Sequence, residues 1–144
     1  MNILELKNAL DKITVQANDI FVKTGYAKLG ELASVDFDPK DPNQAFLYEE
    51  FYSIVRKLDH VAMQMDYINR PIKCEGYLSL NERDRYELCG IELTCGAELE
   101  VLVYDDFYER NVWYPSVIER NSYGYYFVAK PELDLDGMRA RLRQ

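Results

Sequence analysis

The sequence predicts an α+β protein, with an N-terminal antiparallel helical hairpin over residues 1–70 packed with a small C-terminal antiparallel β-barrel of five or six strands over residues 71–144. Three observations predict it. Apolar residues recur at alternating spacings of three and four through the first half. The repeat changes to two after Pro71. Polar turns then cut the second half into short segments rich in aromatic and β-branched residues.

Ile3, Leu6, Leu10, Ile13, Ala17 and Ile20 make the seam of the first helix. Asn2 and Glu5 form a capping box with Asn in the place of Ser or Thr, and Thr24-Gly25 mark a stop. The connection from Gly25 to Lys40 is long for a loop, and Tyr26, Leu29 and Leu32 predict a short helical piece that packs. Asp41 is a suitable N-cap, Pro42 fits the first helical position, and Gln44 reaches back to the cap. Leu47, Phe51, Ile54, Leu58, Val61, Met65 and Ile68 continue the second seam, which ends before Pro71. Tyr48, Val55 and Ala62 widen this stripe, whereas the matching places in the first helix are Lys7, Thr14 and Phe21. A narrow seam does not cover a wide stripe. Tyr48, Val55 and Ala62 are therefore expected to meet either the C-terminal module or a second subunit, and a homodimer is the expectation carried forward.

In the second half, Tyr77–Leu80 and Arg85–Leu88 read as a hairpin about a polar turn. Glu98–Tyr104 reads as a strand, with Leu99, Val101 and Val103 on one face and Glu98 and Glu100 on the other. Val112–Glu119 follows, with Pro115 calling for an edge or a bulge. Tyr125–Ala129 comes after the turn at Asn121–Gly124, and Met138–Arg143 alternates apolar residues with Arg as a closing strand would, although its residues also suit a helix. The order of short strands, acidic aromatic loop, Trp strand and tight turns looks like a small barrel of the Src-homology-three type.

The C-terminal half resembles a family of short, uncharacterised domains from Gram-positive bacteria and their phages and plasmids. Gly76-Tyr77-Leu78, Arg85–Leu88, Glu92–Gly96, Leu99-Glu100-Val101, Trp113, Ile118-Glu119, Gly124-Tyr125-Tyr126 and Gly137–Leu142 carry the resemblance. It leaves the helices unexplained and implies no activity. What it implies is company on mobile elements.

The 144 residues carry a formal net charge of -8, which repels phosphate backbones and anionic membranes. No apolar run reaches the length of a membrane span, and the first residues lack the basic and apolar blocks of a signal peptide. Cys74, Cys89 and Cys95 are too few and too unevenly spaced for a disulfide framework, so a cytoplasmic location is expected. With His60 they lack the paired short spacing of a zinc site, and no metal or other cofactor is expected. The plain reading of the cysteines is small buried side chains. No nucleophile elbow or phosphate-binding glycine loop is present, so the chain reads as no enzyme.

Tyr104 to Tyr126 contains eight aromatic rings. Trp113 and part of the set Tyr114, Tyr125, Tyr126 and Phe127 are expected in the core, with Phe107 and Tyr108 left in a loop. Ten acidic residues lie between Glu75 and Glu109, against Arg83 and Arg85. Glu98, Glu100, Asp105, Asp106, Phe107, Tyr108 and Glu109 are the expected partner-binding surface. Such a surface suits a host protein with a basic groove, as a phage or mobile-element inhibitor of a nucleic-acid-binding protein such as a defence nuclease would present it. Arg139, Arg141 and Arg143 are the alternative, a phosphate grip for a nucleic-acid-binding regulator, but pairing with acids across the sheet is the plainer role for them. A plain oligomeric adaptor is the remaining reading.

Overall fold

The computed structural model describes residues 1–144, which divide into two compact units, Met1–Asn69 and Arg70–Gln144. The first unit holds α1 (Ile3–Thr24), a single turn α2 (Tyr26–Leu29) and α3 (Pro42–Asn69). The capping box is present: the Asn2 carboxamide oxygen accepts from the Leu4 and Glu5 N–H groups, and Glu5 accepts from the Asn2 N–H. Gly25 ends α1 at φ 81, a left-handed value that favours glycine. At the start of α3, Asp41 accepts from the Asn43 N–H and from the Gln44 side chain.

The helices of the first unit run antiparallel, with Asn69 at the end of α3 donating to Asp11 in the first half of α1. The rows that meet differ from the expected seam. The buried cluster is Ala17, Phe21, Leu32, Val55 and Ala62, flanked by Tyr26, Tyr48, Tyr52 and Leu58. Leu6, Ile13 and Ile20 on α1 and Leu47, Phe51, Ile54, Val61 and Ile68 on α3 are exposed. Aromatic packing accounts for the roll. The Phe21 and Tyr26 rings stand 5.5 Å apart, and Tyr26 and Tyr52 6.4 Å apart edge to face. Ala17 and Ala62 supply the small side chains that let the backbones approach. Phe37 stacks on Tyr48 at 4.1 Å. Tyr48, Val55 and Ala62 are thus used inside the hairpin rather than left over for a second subunit.

The second unit has β1 (Ile72–Tyr77), β2 (Ser79–Leu80), β3 (Tyr86–Leu88), β4 (Ile91–Glu92), β5 (Glu98–Asp105), β6 (Arg110–Asn121), β7 (Gly124–Phe127) and β8 (Arg139–Arg143). They form an antiparallel five-stranded sheet, β1-β8-β5-β6-β7, and a three-stranded sheet, β2-β3-β4. Residues 139–143 are strand, not helix. The expected closed barrel is not formed. Leu78 breaks the chain between β1 and β2, exchanging hydrogen bonds with Gly137 and Met138. After Phe127 the chain turns at Lys130 and Leu133 instead of pairing onward. The two sheets share one core in place of a hydrogen-bonded closure, with Leu78, Leu88, Leu99, Val101, Ile118, Phe127 and Leu135 fully buried. Pro115 faces Glu100 on β5, and β7 pairs only with Ile118–Asn121, so no strand on the other side needs the missing N–H.

Candidate functional site

The outer face of the five-stranded sheet is built around Glu100. The alternation that sends Leu99 and Val101 into the core turns Glu100 to this face, where β8 brings two arginines across 41 and 43 residues of sequence. Arg141 Nε donates to Glu100 Oε2 at 2.6 Å and Arg143 Nε to the same oxygen at 3.1 Å, while their terminal nitrogens each reach Oε1 at 3.3 Å. Arg143 also donates to the Arg70 carbonyl oxygen. Glu100 is 5% exposed. Burial opposes its charge, but the bonds and charges of Arg141 and Arg143 outweigh burial and hold its carboxyl below the usual range. The Arg141 guanidinium lies 4.2 Å over the Trp113 ring, and Arg139 pairs with Glu75 at 2.6 Å.

This geometry moves two expected roles, those of Glu100 and Trp113, and keeps that of the arginine row. Glu100 is spent inside the sheet and offers no carboxylate to a partner. Arg139, Arg141 and Arg143 pair with acids across the sheet, the plainer of their two roles. Trp113 is half-buried beneath Arg141 rather than in the core, whereas Phe127 is fully in the core and Tyr114 and Tyr125 pack against it.

At the far end of β5 a second arrangement stands free. Asp105 and Arg110 close the β5–β6 hairpin as its last pair. The Asp105 carboxylate accepts from the Phe107 N–H at 3.0 Å, the Tyr108 N–H at 3.1 Å and the Tyr114 hydroxyl at 3.4 Å. The Tyr108 N–H bond is the main reason its carboxyl is held below the ordinary value. Glu109 takes the left-handed φ of 49 that completes the turn. The tip therefore displays Phe107, 85% exposed, and Tyr108, 62% exposed, edge to face at 4.8 Å, with Arg110 over the Tyr108 ring at 4.8 Å. Asp106, Glu109 and Tyr104 are exposed beside them.

Of the seven expected contact residues, Asp105 to Glu109 come together at this tip. Glu98 and Glu100 lie roughly 16–23 Å further back along the strand, from about 3.3 Å per residue. Glu98 is exposed and 3.5 Å from Arg70. Sequence reasoning placed Tyr123 in the β6–β7 turn but did not name it as a site residue, and it is 97% exposed there. It also read the cysteines as buried, yet Cys89 and Cys95 are exposed and Cys74 is half-buried. No group of three metal-capable side chains converges.

No curated protein and no solved structure matches the chain. Residues 76–142, a little under half of the chain and the stretch from the end of β1 to β8, match the model of a family described as a domain of unknown function, DUF5348.

Proposed function

We propose that the protein is a non-enzymatic protein-binding module whose recognition element is the β5–β6 tip. The observation that carries this reading is the pair Phe107 and Tyr108, exposed yet held in one geometry by the Asp105 turn. Rings already fixed in place lose little freedom on binding and bury a large area, which is how interface anchors behave. Asp106 and Glu109 flank them, so the complementary surface is an apolar pocket with a basic rim. A host nucleic-acid-binding protein offers such a rim, and an inhibitor on a mobile element fits the company that the family resemblance implies. The test is capture of a basic-grooved nuclease panel by the full chain over a salt series. F107A with Y108A is expected to lose binding at every salt concentration, and D106K with E109K to lose it most at low salt, where screening is weak. Equal binding by parent and both variants overturns the proposal.

A specific observation favours a further element of this reading, assembly as a homodimer. Leu6, Ile13 and Ile20 on α1 and Leu47, Ile54, Val61 and Ile68 on α3 keep heptad spacing and are exposed. An open heptad row is the seam of a helix pair lacking its partner, and a second hairpin of this chain carries the same row.

A further inference from the structure

Cys74 and Cys89 share one spot on the C-terminal unit. Cys74 and Gly76 project from the same side of β1, two residues apart. Cys89 follows β3, and its Sγ stands 3.6 Å from the point that a Cβ on Gly76 would occupy. The bare glycine leaves this thiol room against β1, where Cys74 is the neighbouring side chain on the same side of the strand. Cys89 is exposed and Cys74 half-buried. Cys89 also holds φ at 51, a left-handed value uncommon for a residue with a side chain, and Gly90 follows at 74.

We propose that Cys74 and Cys89 are a two-electron oxidation site, which a hydroperoxide converts to an intramolecular disulfide joining β1 to the β3–β4 turn. The Cys89 sulfur, as thiolate, attacks one peroxide oxygen. The O–O bond breaks, Cys89 becomes a sulfenic acid, and the other oxygen leaves as water or alcohol with the proton lost from Cys89. The Cys74 sulfur then attacks the Cys89 sulfur. The S–S bond forms, the S–O bond breaks, and the oxygen leaves as water with the Cys74 proton. The two thiols give up two protons and two electrons, and the peroxide takes them. The surroundings set the order. Exposed Cys89 meets the oxidant first, while burial and the neighbouring Cys89 thiol push Cys74 up to about 11, which keeps it protonated until it resolves the sulfenic acid. A dithiol reductant of the thioredoxin class reverses the step.

The bridge would tie an edge strand of the larger sheet to the smaller sheet, a covalent link where hydrogen bonding between the sheets is absent. The test treats the full chain with limiting hydrogen peroxide, then blocks free thiols under denaturing conditions and reads intact mass and linked peptides. The expected result is the loss of two hydrogens per chain and one linked pair, Cys74 with Cys89, reversed by dithiothreitol. C95S should behave like the parent, and C89S should form no intramolecular bridge. Serine at exposed Cys89 leaves the core untouched, and an unchanged circular dichroism spectrum controls for folding. A bridge through Cys95, bridges only between chains, or Cys89 carried to sulfinic acid beside a free Cys74 overturns the proposal.

Discussion

Glu100 and Asp105 sit on one strand and answer the same question differently: what holds a carboxylate where a side chain is needed. Glu100 is buried and clamped by two guanidinium groups. Removing one partner of such a group leaves the others charged and dry, so E100A should cost about 3–5 kcal/mol in denaturant unfolding of the C-terminal unit. The pH dependence has a defined sign. The folded carboxyl titrates below the ordinary 4.5, so the unfolded state takes up a proton first as acid is added. The stability it contributes is complete above the unfolded value and is lost as pH falls through the folded one. An acid titration of E100Q should therefore show a flatter stability loss below about pH 5 than the parent. Asp105 instead holds backbone, and D105A should lower the unfolding midpoint of the unit far less than E100A while freeing the two rings to move. Ring-proton line shapes at Phe107 and Tyr108 would report that motion, and unchanged rigidity would contradict the turn's role. The spacing of Glu98 and Glu100 showed their shared face in sequence. It did not show that Arg141 and Arg143 arrive opposite, since pairing across 41 residues is a matter of register.

At the scale of elements, local signals were legible and rotations were not. Asn2 with Glu5, Asp41 with Gln44 and the glycine at 25 announced the helix ends because a cap is set by residues within one turn. The period of two found β2, β3, β5, β6, β7 and β8 for the same reason, and it missed most of β1. Which helix row faces inward depended on Phe21, Tyr26 and Tyr52 meeting across three elements, and no spacing rule contains that meeting. Two phenylalanines separate the alternatives. Phe21 is buried at the α1–α3 contact, and F21A should cost about 3–5 kcal/mol, read as a lower urea midpoint of the helical signal. Phe51 lies on the open row, and F51A should change the same midpoint by no more than about 0.5 kcal/mol. The reverse ranking would restore the heptad seam as the internal contact. Barrel closure failed as an expectation for a different reason. It rests on hydrogen bonds between the two ends of a sheet, and the bend at Leu78 and the turns after Phe127 divert both ends.

Across the whole molecule, the open row on the helical unit and the displayed tip on the sheet unit make separable demands. Sedimentation at micromolar concentration should show a dimer for the parent and a monomer for I54E with V61E, because a carboxylate in a closed helix seam has no partner there. A monomeric parent would leave the row to some other use, and tip binding would still be measurable in either state.

The position of β5 has its own consequence. It alone carries the tip's approach strand, has β8 on one side and β6 on the other, and sends Leu99, Val101 and Val103 into the core. Amide protons exchange with solvent through openings that begin where backbone bonds are fewest. In heavy water, the edges β1 and β7 should lose their protons early, and Leu99 to Val103 should keep theirs until the unit unfolds as a whole. The rings at the end of β5 are thus mounted on the strand slowest to let go, so the tip can turn over contacts with a partner many times without the sheet behind it opening once.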